Sequence, residues 1–164
     1  FAYQYTLAWQ PEFAGREIPP DKRPGYSRSP TVEVILGPQA DRFRADGLRA
    51  FLSSEYRISL TSDRMGYRLE GPAVAHVSGA DIISDGIAFA SIQVPADGQP
   101  IVMMAERPTT GGYPKIAVVA SADQPVLAQC SPGVGRVRFR ETTVEAAQER
   151  WRMMMRNLNV SYEN

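Results

Sequence analysis

The sequence predicts a mainly β fold, a barrel or a sandwich, with one broken helix at about residues 41–54 and a C-terminal helix at about residues 143–158. Two observations lead to this prediction. From Tyr56 onward, short apolar segments rich in β-branched residues recur, and Gly, Pro, Asp or Ser separates most of them. The chain has 164 residues, which is the size of one domain and enough to bury a core without disulfides or metals.

Residues 1–30 are predicted to form an N-terminal strand and an irregular connection, which leads into a barrel domain of residues 31–164. The chain opens with the apolar segment FAYQYTLAW. The next segment, PEFAGREIPPDKRPGYSRSP, contains five prolines and two glycines among many charges. Proline donates no ladder hydrogen bond and restricts the residue before it, so we expect this connection to be irregular.

The first predicted barrel strand is VEVIL, a β-branched run that starts after Thr31 and is closed by a Gly37-Pro38 turn. The broken helix follows, because four apolar residues between Phe43 and Leu52 recur at helical spacing. Gly47 is the expected break between two helical pieces, since glycine weakens a helix interior.

Six further apolar runs are predicted to form strands. They are YRISL, IAFASIQV, PIVMMAE, KIAVVA, VLAQ and VGRVRFR. The last of them alternates strictly between apolar and basic residues. Val137 and Phe139 are therefore expected to share a buried face, while three arginines point toward solvent.

The C-terminal helix is predicted from the segment TTVEAAQERWRMMMRNLN. Thr142 and Glu145 have the spacing of a capping box. An apolar stripe at helical spacing follows, and we expect it to pack on the barrel or on a partner. The stripe consists of Val144, Ala147, Trp151, Met154 and Leu158.

Composition argues against several classes of protein. Eighteen basic residues balance eighteen acidic residues, so no net charge favours nucleic acid or an anionic membrane. No apolar run approaches the roughly 18 residues of a membrane-spanning helix. Cys130 is the only cysteine and permits no internal disulfide, which fits a reducing compartment. A cytoplasmic protein is predicted.

Residue counts also argue against common catalytic centres. His76 is the only histidine, and its apolar surroundings in GPAVAHVSGAD favour a structural role over catalysis. One histidine and one cysteine do not supply the usual zinc ligands, and no acidic cluster has metal-loop spacing, so no metal site is predicted. The sequence contains no GxxxxGK[ST] segment and is therefore expected to have no phosphate-binding P-loop.

The segment TTGGYPK, residues 109–115, is the first candidate for a functional site. Adjacent glycines permit positive φ and close backbone approach, which leaves amide N–H groups free to bind an oxyanion or a carboxylate. Two threonine hydroxyls and the Lys115 ammonium add donors and a charge. A plain hairpin turn explains the same residues equally well.

The segment SDRMGYRLEGP, residues 62–72, is the second candidate. If MGYRLE forms a strand, Arg64, Arg68 and Glu70 share one face. An arginine on that face could bind a carboxylate bidentately, and an internal salt-bridge cluster is the equally weighted alternative.

Four segments together resemble the C-terminal part of the biotin-dependent carboxyltransferase family. They are VILGPQADRF, SDRMGYRLEGP, DIISDGIAFASIQVPADGQPIVMMAERPTTGGYPKIAVV and AQCSPGVGRVRF. The resemblance implies a cyclophilin-like β-barrel and a further N-terminal portion in a longer protein. Glu106 and Pro108 depart from the family pattern, in which aspartate and glutamine are expected.

The resemblance implies three different functions. The first is that of the C subunit of a 5-oxoprolinase, which would open the lactam of 5-oxoproline to glutamate in an ATP-dependent reaction. It would act with a KipI-like B subunit and a lactamase-type A subunit, and ATP would bind on a partner rather than on this chain. The second is carboxyl transfer from carboxybiotin to urea or a related amide, as in urea carboxylase or proteins labelled allophanate hydrolase subunit 2. The third is a KipA-like regulator that sequesters a kinase inhibitor.

The first of these functions assigns roles to the polar residues noted above. The residues expected to polarise a carbonyl or stabilise an oxyanion are Thr110, Gly111, Gly112 and Lys115. The residues expected to bind substrate are Arg64, Arg68, Gln93, Thr109 and Tyr113.

Overall fold

A computed structural model describes Pro20 and residues 25–163, with side chains as far as Asn157. The predicted N-terminal strand and the side chain of Leu158 lie outside these described residues. Seven strands form a closed barrel, which confirms the predicted mainly β class. Their order around the barrel is β1 (Thr31–Leu36), β8 (Lys115–Val119), β5 (Ser91–Gln93), β6 (Ile101–Met103), β3 (Gly66–Glu70), β2 (Glu55–Ile58) and β9 (Arg136–Glu141).

A two-stranded ribbon lies outside the barrel. It consists of β4 (Asp85–Gly86) and β7 (Thr110–Gly111), which pair antiparallel. The barrel itself closes through the parallel pairing of β1 with β9, whereas its other neighbouring strands run antiparallel. The ribbon therefore attaches segment 109–112 to the segment around Asp85 rather than to a barrel strand.

Strand β9 follows its predicted alternation. Val137 and Phe139 are 0% and 2% exposed, and the Phe139 ring stacks on Phe51 at a centroid distance of 4.5 Å. The arginines of β9 are exposed as predicted and also form ion pairs with Glu55 and Glu33 on the neighbouring strands. One face of β9 thus builds the core, and the other carries a charged network.

The predicted broken helix exists, but its break lies elsewhere. A 3-10 turn at Ala40–Arg42 precedes helix α1 (Ala45–Ser53), and Phe43 between them is extended. Gly47 lies inside α1, where a Cβ would come within 2.8 Å of the backbone nitrogen of Ala75. Gly47 therefore permits close packing against another segment and does not break the helix.

The prediction of a strand at VLAQ is wrong. Residues Gln124–Ala128 form the short helix α2, with Pro125 in its first turn. Proline is compatible with the first turn because the N–H that it lacks has no partner within the helix there. A four-residue apolar run does not distinguish a strand from a short helix by itself.

The C-terminal helix α3 spans Val144–Glu163 and is longer than predicted. The Thr143 hydroxyl, rather than the predicted Thr142, accepts a hydrogen bond from the Ala146 N–H at 3.2 Å. Within the predicted stripe, Ala147 is buried and Trp151 is 38% exposed. The helix is also held by Arg150, whose guanidinium donates to the buried Asp123 carboxylate at 2.5 and 2.7 Å.

The lone histidine and cysteine have structural surroundings. The His76 ring contacts the Val94 carbonyl oxygen at 3.0 Å through Nε2 and packs on Phe43. Cys130 is 2% exposed, and burial raises the pKa of its thiol, which disfavours the reactive thiolate. No helix within residues 25–163 is both long and apolar enough to cross a membrane.

Candidate functional site

Three of the predicted substrate-binding residues meet in one cleft on the barrel. Arg68 of β3, Gln93 of β5 and Tyr113, which precedes β8, line a volume of about 200 Å³. Pro108 lines it as well. A neighbouring groove of about 480 Å³ shares Arg68 and Tyr113, so the cleft opens into a larger surface depression.

Arg68 supplies the cleft with an uncommitted positive charge. Its backbone is fixed by the β3–β6 pairing and by a hydrogen bond from its N–H to the Ser62 hydroxyl at 3.0 Å. Its guanidinium has no hydrogen bond or ion pair within the described part of the chain. A planar guanidinium with free donors is suited to bidentate binding of a carboxylate.

Gln93 is the buried polar residue of the cleft. It is 5% exposed, and its side-chain nitrogen donates to the Tyr113 carbonyl oxygen at 3.2 Å. Gly111 packs directly against it, since a Cβ at position 111 would lie 3.0 Å from that same nitrogen. The amide of Gln93 therefore holds the Tyr113 carbonyl group, and a side chain at position 111 would have to displace Gln93 or Ile87.

The β4–β7 ribbon and the residues beside it carry the rest of the TTGGYPK segment. The carbonyl oxygens of Thr109 and Gly112 accept hydrogen bonds from the N–H groups of Ile87 and Ile82 at 2.9 and 2.8 Å. Neither Gly111 nor Gly112 has a positive φ, so the expected left-handed conformation is not used. The Gly112 N–H donates to no acceptor among the described residues, which leaves it available to a ligand.

Thr110 of β7 and the preceding residue Thr109 are exposed. Thr110 lies opposite Gly86 in the β4–β7 pairing, one position away from the pair formed by Asp85 and Gly111. Neither hydroxyl has a hydrogen bond within the described part of the chain, and neither residue lines the cleft or the neighbouring groove.

Lys115 does not line this cleft. Its ammonium lies 2.6 Å from the Asp85 carboxylate, and its side chain is 8% exposed. Hydrogen bonds from the Lys115 ammonium, from the Gly86 N–H and from the Gln39 amide lower the pKa of Asp85. The charge of Lys115 is thus balanced inside the protein.

Arg64 lies apart from Arg68. It lines a different cleft of about 350 Å³, together with Tyr67 and Pro132. Its guanidinium forms an exposed ion pair with Glu106 at 3.0 Å. Strand β3 begins only at Gly66, so the strand alternation that would have grouped Arg64 with Arg68 does not extend to residue 64.

Asp85 and Gln39 are the partners of Lys115 and were not identified from the sequence. The Gln39 side-chain oxygen accepts from the Lys115 N–H at 3.2 Å, and its nitrogen donates to Asp85, also at 3.2 Å. Partners that lie 30 and 76 residues from Lys115 leave no local sequence signal. No group of three or more potential metal ligands is found within residues 25–157.

Comparison with known proteins gives a consistent family. The family model for the carboxyltransferase domain, subdomain A and B, matches residues 4–141. The C subunit of 5-oxoprolinase from Escherichia coli (strain K12) is 37% identical over 116 residues, which are 71% of this chain and 37% of that protein. The Haemophilus influenzae protein of the same name is 43% identical over 126 residues, which are 75% of this chain and 40% of that protein.

A solved structure supports the fold independently. The K. lactis urea amidolyase matches 88% of this chain and 9% of its own with a TM-score of 0.82. At 21% sequence identity this likeness supports the fold alone. The chain spans 37% and 40% of the two curated relatives, so it corresponds to less than half of either protein.

Proposed function

The chain belongs to the carboxyltransferase domain, subdomain A and B family, and from this premise we propose that it is part of a protein like the C subunit of 5-oxoprolinase. The proposed reaction is ATP-dependent hydrolysis of the 5-oxoproline lactam to glutamate in the cytoplasm. A KipI-like B subunit and a lactamase-type A subunit would complete the assembly. ATP would bind on one of these partners, since the sequence contains no P-loop.

The observation that carries this proposal is the free guanidinium of Arg68 in the same cleft as Gln93 and Tyr113. 5-Oxoproline is small and has one carboxylate and one lactam group. The Arg68 fork matches the carboxylate, and two parallel charged hydrogen bonds would fix its orientation. The ring would then lie toward Tyr113 and the adjoining ribbon.

The ribbon provides donors for the lactam oxygen. Attack of water on the lactam carbon places negative charge on that oxygen, and free backbone N–H groups stabilise such charge when they are fixed in advance. The Gly112 N–H is free among the described residues, and the Thr110 hydroxyl lies on the same ribbon. The ring C–N bond then breaks, the carbon keeps the water oxygen as a carboxylate, and the nitrogen takes up both protons of the water to become the ammonium group of glutamate. ATP hydrolysis on the partner supplies the driving force.

The test compares Arg68→Ala with the matched control Arg49→Ala in the assembled complex. Arg49 is an exposed arginine of α1 that also has no partner among the described residues. Loss of charged hydrogen bonds worth about 1.5–3 kcal/mol predicts a fall in kcat/KM of about 10- to 150-fold for Arg68→Ala. Arg49→Ala should retain the wild-type value.

A substrate without a carboxylate sharpens this test. The wild-type complex should turn over 2-pyrrolidinone poorly, and Arg68→Ala should not reduce that rate further. If Arg68→Ala lowers kcat/KM equally for 5-oxoproline and for 2-pyrrolidinone, the arginine does not bind the carboxylate. An unchanged kcat/KM for 5-oxoproline would remove Arg68 from the site.

The second candidate is carboxyl transfer to an amide, which the description of the matching family model favours. The sequence has no recognisable biotin-bearing lysine motif, so carboxybiotin would be carried by another domain or another chain. Incubation of the assembled complex with labelled carboxybiotin and urea separates the two candidates. Labelled allophanate without ATP-dependent glutamate release supports carboxyl transfer. Binding of a partner protein with neither activity supports the regulatory alternative.

A further inference from the structure

We propose that Asp85 and Lys115 form a latch that holds the β4–β7 ribbon against the barrel, and that both are positioning residues rather than groups that touch the substrate. The effect of this latch on turnover rests on the function proposed above. The effect of the latch on the position of the ribbon does not depend on that function and can be measured separately.

The burial of Lys115 requires a partner. Its side chain is 8% exposed, and removing an ammonium group from water is costly unless a negative charge and hydrogen bonds compensate. Asp85 provides both at 2.6 Å and is itself half-exposed at 50%. Asp85 therefore lies between the buried ammonium and solvent, and movement of β4 away from the barrel would leave the ammonium unpaired.

The pair connects two parts of the site that have no other charged link among the described residues. Lys115 is the first residue of barrel strand β8, and its Cα lies opposite Gln93 of β5. Asp85 is the first residue of β4 and lies opposite Gly111 of β7. The latch thus fixes Gly111 relative to Gln93, whose side-chain nitrogen would lie 3.0 Å from a Cβ on Gly111.

Gln39 ties a third segment to the same pair. Its side chain accepts from the Lys115 backbone and donates to the Asp85 carboxylate, both at 3.2 Å. The turn before it approaches β8 so closely that a Cβ on Gly37 would lie 2.3 Å from the Lys115 carbonyl oxygen. The glycine there allows the turn to reach the latch. A three-segment arrangement of this kind favours a single position of the ribbon.

The test uses Asp85→Asn, Asp85→Glu and Lys115→Met in the assembled complex, with Asp46→Asn as control. Asp46 of α1 forms an ion pair with Arg44, which immediately precedes the helix, and both side chains are exposed. Hydrogen–deuterium exchange at residues 109–112 and kcat and KM for 5-oxoproline are measured for each variant. Thermal unfolding of the barrel is followed in parallel, which separates local release of the ribbon from global unfolding.

A latch predicts that Asp85→Asn and Lys115→Met each accelerate exchange at residues 109–112 by at least tenfold and lower kcat by at least tenfold. KM should change less than kcat, because Arg68 remains in place. The double variant should be no worse than either single variant, since both remove the same interaction. Asp85→Glu keeps the charge and should restore part of the wild-type exchange rate and part of kcat. Asp46→Asn should change neither the exchange rate nor kcat.

Two outcomes would overturn the proposal. If Lys115→Met abolishes turnover while Asp85→Asn retains it, and exchange at the ribbon is unchanged, Lys115 acts on the substrate directly. If exchange stays at the wild-type rate in every variant that remains folded, the pair does not hold the ribbon. Absence of turnover in the wild-type complex would contradict the proposed function alone, because exchange still decides the role of the latch. If Lys115→Met does not fold, the two Asp85 variants carry the same comparison.

Discussion

Replacing Gly111 with alanine would place a methyl group in the contact between the ribbon and Gln93. The new Cβ would lie 2.7 Å from Cδ1 of Ile87 and 3.0 Å from the side-chain nitrogen of Gln93. Ordinary carbon–carbon contacts are about 3.5–4.0 Å, so Ile87 must retreat by about 1 Å and Gln93 by several tenths of an ångström. The displaced Gln93 amide is the group that fixes Tyr113.

Both contacted atoms are the far ends of flexible side chains, so the cost falls at the low end of overpacking, at about 1 kcal/mol. If the strain is relieved by displacement of Gln93 and Tyr113, the same amount is lost from transition-state stabilisation, which corresponds to about fivefold in kcat/KM. The assay is ATP-dependent glutamate release by the assembled complex. Gly86→Ala is the matched control, because its Cβ would meet nothing within 4 Å and its position is adjacent on the same ribbon.

A second substitution separates the two contacts. Ile87→Val removes the Cδ1 atom from the clash, so the double variant Gly111→Ala/Ile87→Val should recover thermal stability. It should not recover turnover, since the contact with Gln93 remains. A Gly111→Ala variant that is stable and has the wild-type kcat/KM would refute the inference that Gln93 and Gly111 position the site.

The remaining predictions concern stability. Phe139→Ala removes a buried ring stacked on Phe51 and should lower the free energy of unfolding by about 3–5 kcal/mol in urea denaturation. A loss below about 1 kcal/mol would contradict the central place of this ring in the core. Arg150→Met leaves the Asp123 carboxylate without its cation, at a cost of about 1–2 kcal/mol after screening of the half-exposed guanidinium, and should speed backbone exchange in α3 more than in the barrel. Burial raises the pKa of Glu33, but hydrogen bonds from Arg140 and Arg150 outweigh it, so the net pKa is lowered from 4.5. The ionised carboxylate therefore stabilises the fold above pH 4.5, and the stabilisation is lost as the pH falls through the lower folded pKa. Glu33→Gln should weaken the dependence of the free energy of unfolding on pH below pH 4.5. An unchanged pH dependence in urea denaturation would contradict this role of Glu33.

The sequence predicted those parts of the fold that local pattern determines. Strand β9 alternates because one face of a closed barrel is buried and the other is solvated, and Val137 and Phe139 followed that rule. The prediction of a helix break at Gly47 was wrong because it used only the low helix propensity of glycine. The structure uses its missing side chain for contact with Ala75, which is 28 residues away in the sequence and leaves no local signal.

The candidate site was predictable as a set of residue types and not as a geometry. Arg68, Gln93 and Tyr113 were each expected to bind substrate, but no sequence pattern predicts that residues so far apart in the chain line one cleft. The Lys115 ammonium was expected to face the substrate. Its actual partner, Asp85, lies in the segment DIISDGIAF, where nothing distinguishes it from the neighbouring Asp81. The ion pair with Asp85, which is distant in sequence, neutralises Lys115. Arg68 rather than Lys115 therefore supplies the unpaired positive charge of the cleft among the described residues.

The structure of the assembled complex with 5-oxoproline bound tests the central claim most directly. We predict that the ligand carboxylate lies about 2.7–2.9 Å from the Arg68 guanidinium and that the lactam oxygen faces the Gly112 N–H. A ligand whose carboxylate is held by other residues, with the Arg68 guanidinium still unpaired, would contradict this claim.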